Sequence, residues 1–156
     1  MIDVALLTLG PLLRPLSEEG LAIVGAAATR RVYERGEVLF REGDVAEECY
    51  LLETGHVAIE IEIGSSKRAM IHTVSPGDFF GWSALVPPRH MTASARAVES
   101  SAVIAIPGKI LDQVFEKEPA AGLDVMRGVS RVITLRLKDT SLQLVNMMEW
   151  VGPERA

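Results

Sequence analysis

Residues 76–95 read PGDFFGWSALVPPRHMTASA, and this stretch carries the most information about the fold. Gly81 precedes a very short helical segment, predicted over 83–86, and a rigid Pro-Pro pair then leads to Arg89. Glycine lets a ligand approach the backbone closely, and the N–H groups at the start of a helix favour anions. An arginine offers a bidentate fork to phosphate oxygens. The stretch therefore predicts a loop that cradles a phosphate group.

The residues on both sides of this loop, from Val32 to Ile106, have the pattern of a β structure. Over residues 57–63 apolar side chains alternate with others at a period of two, and 70–74 is predicted as the returning strand. The single cysteine, Cys49, falls in an apolar run that predicts a buried strand. Glycine-bearing turns recur between the short strands, and this spacing predicts a sandwich, barrel or roll.

Helical patterns flank the β region. The first helix is predicted from Ser17, a good N-cap, to about residue 30. After Pro107 a short helix is predicted over 109–117, and a longer one over 120–150 carries an apolar stripe. A helix of about 30 residues extends about 45 Å, more than a small roll needs as a cover. The stripe predicts a homodimer through residues 120–150, and the alternative is that it only packs on the roll.

Length and composition predict one domain. The chain has 156 residues, of which 48% are hydrophobic and 24% charged. We predict a single domain over 1–151, divided into an N-terminal helix (16–31), a β-roll (32–106) and C-terminal helices (107–150), with a tail at 152–156. The net charge of −5 argues against binding nucleic acid directly. The apolar N-terminus lacks the features of a signal peptide, so we expect a cytoplasmic protein without membrane contact.

This organisation resembles the cyclic-nucleotide-binding domain of the catabolite-activator (Crp/Fnr) family. The phosphate-binding cassette of that family runs Phe-Gly-Glu, a small residue and leucines, then Arg-x-Ala-Thr. The matching positions in this chain are Phe80, Gly81, Ala84, Leu85, Arg89 and Thr92. Residues 36–44, 51–57 and 136–141 are also similar to family segments. The resemblance implies a mainly β fold with flanking helices (α+β), a β-roll or jelly roll with a short N-terminal and a long C-terminal helix.

The resemblance also implies a ligand site for a cyclic nucleotide, cyclic AMP or cyclic GMP, with no required cofactor and no metal. Its phosphate contacts would be Gly81, Trp82, Ser83 and Ala84 through the backbone, with Arg89, His90 and Thr92 closing the phosphate end, and Thr140 and Ser141 on the long helix would face the base. Trp82 departs from the pattern, because the family has there a glutamate that binds the ribose 2′-hydroxyl. An indole N–H donates but cannot accept. The replacement of this glutamate by Trp82 predicts degenerate or altered ligand specificity. The loop before Arg89 is also about two residues shorter than the family pattern, which predicts that Arg89 reaches a different position from the family's arginine.

Three other functions are alternatives to this one. An enzyme is disfavoured, because the isolated histidines His56, His72 and His90 form no metal motif and no nucleophile motif is present. A truncated Crp/Fnr transcription regulator is the second alternative. Only residues 151–156 follow the long helix, and a DNA-binding domain would need many more residues, so we expect no direct DNA binding. A ligand-free interaction or dimerisation module remains open. The prediction is a non-catalytic sensor or regulatory module that acts on a protein partner.

Overall fold

The computed structural model describes residues 1–151, so the predicted tail at 152–156 lies outside the described residues. The four α-helices are Val4–Leu7 (α1), Glu18–Ala27 (α2), Gly108–Lys117 (α3) and Pro119–Val151 (α4). The strands are Thr29–Tyr33 (β1), Val38–Phe40 (β2), Glu48–Thr54 (β3), Val57–Ile63 (β4), Lys67–Val74 (β5), Phe79–Phe80 (β6), Ser94–Ala97 (β7) and Ser101–Pro107 (β8). A 3-10 helix spans Trp82–Leu85, close to the predicted helical segment at 83–86.

The strands form two antiparallel sheets that face each other across the core. One sheet has the order β1-β8-β3-β6 and the other has the order β2-β7-β4-β5. β8 lies between β1 and β3 in its sheet, and its side chains are buried along almost its whole length. The mainly β fold with flanking helices is therefore confirmed.

The prediction of the first helix was correct at its start and wrong at its end. Ser17 caps α2, and its side chain accepts a hydrogen bond from the backbone N–H of Gly20. The helix stops at Ala27, because the chain from Thr29 onward pairs with β8, beginning opposite Ala105. The pairing of β1 with β8 brings together residues far apart in sequence, which no local pattern records. The short helix α1 was also not predicted.

An aromatic cluster lies in the core beneath the loop at 81–85. The rings of Tyr50 and Phe80 stack with their centroids 5.4 Å apart, and Phe40 stacks on Tyr50 at 5.6 Å. Burial raises the pKa of Tyr50 to about 12. Cys49, next to it on β3, is fully buried, as predicted for a core residue.

The long helix α4 packs against the rest of the domain mainly through its first half. Close approaches at two glycines fix its position, since a Cβ on Gly122 would lie 2.8 Å from Phe115 and one on Gly128 would lie 2.9 Å from Leu12. Val125 and Val129 are buried in the same part of the helix. The exposed large apolar side chains of the second half are Ile133, Leu135, Leu137, Leu142, Leu144, Val145, Met147 and Met148. Among the described residues, no helix is long and apolar enough to cross a membrane.

Candidate functional site

A cavity of about 160 Å³ lies between the sheet β2-β7-β4-β5, the loop after β6, and α4. Its lining residues are Phe40, Ile59, Ile71, His72, Phe80, Gly81, Trp82, Ser83, Met91, Thr92, Ala93, Arg136 and Thr140. Most of the wall is apolar, and a few polar groups converge on it. This is the usual composition of a small-molecule site, in which apolar walls give affinity and polar groups fix orientation.

Gly81 turns the chain into the 3-10 helix at the edge of this cavity. Its φ is +73°, a left-handed conformation that favours glycine. A Cβ there would also lie 2.9 Å from Cδ2 of Tyr50. The turn therefore depends on glycine for two reasons, and it places the backbone of 81–83 on the cavity wall.

The structure brings together five of the residues that the sequence assigned to the ligand. Gly81, Trp82, Ser83 and Thr92 line the cavity from the loop and the strand region, and Thr140 lines it from α4. The hydroxyl of Thr140 donates to the backbone carbonyl of Arg136, 2.9 Å away, so its oxygen is left as an acceptor.

Arg89 does not line the cavity. Its guanidinium lies 3.0 Å from Oδ2 of Asp112 on α3 and donates to the carbonyl of Ala84 at 3.0 Å. Its backbone is also held elsewhere: the N–H donates to Val86 and the carbonyl accepts from Ala46. The short loop therefore directs the side chain toward α3, with φ at +59°. Phosphate binding by Arg89 stays a prediction that this geometry does not support.

Three further predicted residues lie outside the lining. Ala84 is fully buried, and its carbonyl is the acceptor for Arg89. The His90 ring is exposed, with Nδ1 2.9 Å from the carbonyl of Pro88, and Ser141 donates to the carbonyl of Leu137. Ser141 follows Thr140 by one residue, so the helix turns its side chain to another face. Their predicted ligand contacts also stay predictions.

Two lining residues were not predicted as site residues. Nε of Arg136 is buried without a hydrogen-bond partner among the described residues, and the guanidinium lies 3.9 Å from Oδ2 of Asp78. His72 on β5 is half-buried, and burial, followed by the nearby Arg136 charge, lowers its pKa to about 4 against the smaller opposing effects of Asp78 and Asp139. The imidazole is therefore neutral at pH 7. The only signal for Arg136 was its place at the start of the family-like segment 136–141.

A second, larger cavity adjoins the first. It measures about 440 Å³ and lies between the N-terminal segment, the turn before β6, and α4. Trp82 and Arg136 line both cavities, so the two cavities adjoin at these residues. Within residues 1–151 the structure contains no group of three or more histidine, cysteine or carboxylate side chains that could hold a metal ion.

Comparisons with known proteins agree with this geometry. The family model of the cyclic nucleotide-binding domain matches residues 30–118. The cyclic AMP receptor protein of Thermus thermophilus is 26% identical over 135 residues, which cover 86% of this chain and 60% of the receptor. Glutaminase 1 of Bradyrhizobium diazoefficiens is 31% identical over 129 residues, which cover 81% of this chain and 20% of that protein.

A crystal structure of a cyclic nucleotide-binding protein from Geobacter metallireducens superposes with a TM-score of 0.75. It is 30% identical, and the match covers 88% of this chain and 99% of that one. The two sheets, the loop after β6 and the flanking helices thus define a domain of the cyclic-nucleotide-binding type. The chain belongs to the cyclic nucleotide-binding domain family, and its relatives include regulators of the Crp/Fnr type. The predicted family is confirmed. The chain spans no more than 60% of the length of the two curated relatives described above.

Proposed function

We propose that this domain is a non-catalytic sensor that binds a phosphate-bearing small molecule of the cyclic-nucleotide class in the 160 Å³ cavity. One observation carries the proposal: the cavity is lined both by the family's phosphate-binding loop, through Gly81 and Ser83, and by α4, through Arg136 and Thr140. A ligand in this position would contact both the loop of the β-roll and the long helix α4. A protein partner responding to α4 would then read the occupancy of the cavity.

The size of the cavity supports a coupled movement. Pockets for small molecules usually measure about 300–1,000 Å³, and this one is smaller, with Trp82 and two residues of α4, Arg136 and Thr140, among its lining. A whole nucleotide therefore needs a displacement of the indole ring or of α4. A ligand shifts such an equilibrium by its difference in affinity for the two positions. The tight state described here would be the unliganded state of the sensor.

The second half of α4 supports a homodimer through residues 120–150. Ile133, Leu137, Leu144 and Met147 follow one another with Thr140 at alternating three- and four-residue spacing, and all five are exposed. This is the spacing of a two-stranded coiled-coil seam. Thr140 belongs to this seam and also to the cavity wall, so the pairing of two helices and ligand binding would share a residue.

The ligand proposal is tested by thermal unfolding in the presence of cyclic AMP, cyclic GMP, cyclic dinucleotides, linear nucleotides and inorganic phosphate. A ligand at a hundred times its dissociation constant stabilises a protein by about 2.7 kcal/mol. For a domain of this size that corresponds to about 5–10 °C in the unfolding midpoint. A shift with one cyclic nucleotide supports the sensor, and the absence of a shift with every compound contradicts it.

The homodimer is tested by sedimentation of the wild-type chain and two variants at micromolar concentration. Leu137→Asp places a charge in the seam and is expected to give a monomer. Leu142→Asp is the matched control, because Leu142 is similarly exposed but lies on the opposite side of α4 from Ile133. A monomeric wild-type chain would contradict the homodimer, as would a dimer that both variants retain.

A ligand-free interaction module is the second candidate function. Arg89 already contacts Asp112 and the carbonyl of Ala84, and the cavity is small, so the contacts of this arginine are complete without a ligand at the loop. In that case the exposed stripe of α4 would bind a partner permanently. The ligand screen separates the two functions, since only the sensor gains stability from a small molecule.

A further inference from the structure

We infer that Arg136 on α4 binds the anionic group of the ligand, and that Arg89 holds the loop in place instead. The inference rests on the proposed function, since it concerns the same cavity, and it names the residue that would determine anion recognition there. It reverses the assignment that the loop sequence alone favours.

Arg136 has the charge, the position and the free donors for this role. Within the described part of the chain it is the only arginine or lysine among the residues that line the cavity. A guanidinium carries five N–H donors, and Nε of Arg136 is buried without a partner. The nearest carboxylate, Asp78, is 3.9 Å away and already accepts a hydrogen bond from the backbone N–H of Ser75 at 3.0 Å. Because Nε is buried, an anion in the cavity would reach it only after the guanidinium turns, and the anion would then supply the acceptor that the described residues leave out.

Arg89 has the charge but lacks the position and the free donors. Its two terminal nitrogens are occupied by Ala84 and Asp112, and it lies outside the lining. Turning it toward the cavity would break both contacts and leave the carboxylate of Asp112 without this partner. Its contacts join the 3-10 helix to α3, so its role in this structure is to position the loop.

The surroundings of Arg136 favour a small anion such as a phosphate. His72 adds no positive charge at neutral pH, but its ring can still exchange a hydrogen bond with a ligand. Ser83 and Thr92 contribute hydroxyl groups from the opposite wall. A planar fork of donors matches the oxygens of a phosphate or a phosphodiester. Because Arg136 belongs to α4, an anion bound there would contact the long helix directly, without passing through the loop.

The experiment measures binding of cyclic AMP and of inorganic phosphate by calorimetry to the wild-type chain and to four variants. Arg136→Gln is expected to weaken binding of whichever probe the wild-type chain binds by tenfold or more. Arg89→Gln is expected to change it less than threefold, although its midpoint of unfolding falls. Asp78→Asn removes the competing carboxylate and is expected to strengthen binding a few-fold, which a purely structural role of Arg136 would not produce.

The outcomes separate the two proposals. If the wild-type chain binds a probe and only Arg89→Gln abolishes binding, the sensor stands and the assignment to Arg136 is overturned. If the wild-type chain binds neither probe, and the broader screen also finds no ligand, the sensor itself fails and the assignment fails with it. Unfolding midpoints measured without a probe show whether Arg136→Gln folds. Arg136→Lys keeps the charge but loses the planar fork of donors, and it is expected to bind with an affinity between those of the wild-type chain and Arg136→Gln.

Discussion

The substitution Gly81→Ala tests whether the loop beside the cavity depends on the absence of a side chain. Two separate costs act at this position. The first is conformational, because φ is +73° and an L-residue pays about 1–2 kcal/mol to adopt the left-handed region. The second is steric, because the new Cβ would lie 2.9 and 3.3 Å from two carbons of the Tyr50 ring.

The steric cost is large because the Tyr50 ring has little room to move. It stacks on Phe80 and on Phe40 and is 5% exposed, so displacing it disturbs the whole aromatic cluster. Overpacking of this kind costs about 1–3 kcal/mol. Alanine also lowers the conformational entropy of the unfolded chain, which offsets about 0.4–1 kcal/mol of this loss. The expected net loss in the free energy of unfolding is about 2–4 kcal/mol, or about 4–16 °C in the midpoint.

Gly64→Ala is the matched control for this measurement. Gly64 has a similar φ of +68°, but a Cβ there would meet nothing within 4 Å. It therefore reports the conformational cost alone, and we expect a loss of about 1 kcal/mol. Both variants are compared with the wild-type chain by denaturant and thermal unfolding followed by circular dichroism. Equal losses for the two variants would refute the argument, because they would show that the Tyr50 ring yields without cost.

Two further predictions concern the cavity. Trp82→Glu introduces an acceptor at the position where the family has its ribose-binding glutamate. It is expected to raise the affinity for cyclic AMP about ten- to a hundredfold, because a charge-assisted hydrogen bond contributes about 1.5–3 kcal/mol. The affinity for 2′-deoxy cyclic AMP, which lacks the hydroxyl, should not rise. An equal rise for both compounds would rule out the ribose contact. The second prediction concerns His72, whose pKa is about 4 in the folded chain against an ordinary value of 6.5. Between pH 4 and pH 6.5 the folded state therefore binds fewer protons than the unfolded state. The free energy of unfolding consequently falls as the pH drops through that window. Because the ring keeps some contact with solvent, we expect this effect to contribute about 1–2 kcal/mol to the free energy of unfolding at pH 7. Urea unfolding of the wild-type chain and of His72→Gln from pH 4 to pH 7 measures this contribution. Identical pH profiles of the two proteins would contradict the prediction.

The local patterns of the sequence were sufficient for the architecture. The alternation over 57–63 indicated β4, and Ser17 indicated the start of α2. The loop at 76–95 indicated the family and part of the cavity wall. These features are readable because strand alternation, helix capping and a glycine turn depend on residues close together in the chain.

The tertiary structure decided where the charged groups of the site lie. Arg89 and Asp112 are 23 residues apart in the sequence, and Arg136 on α4 lies close to Asp78 in the turn before β6. No short sequence motif therefore records either contact. The end of α2 was likewise decided by the pairing of β1 with β8. The sequence by itself determined that a glycine turn leads into a short helical segment after residue 80 and that a long helix ends the domain. Which arginine faces the cavity was decided by packing alone, because a flexible side chain follows the nearest carboxylate or carbonyl that the fold brings within reach.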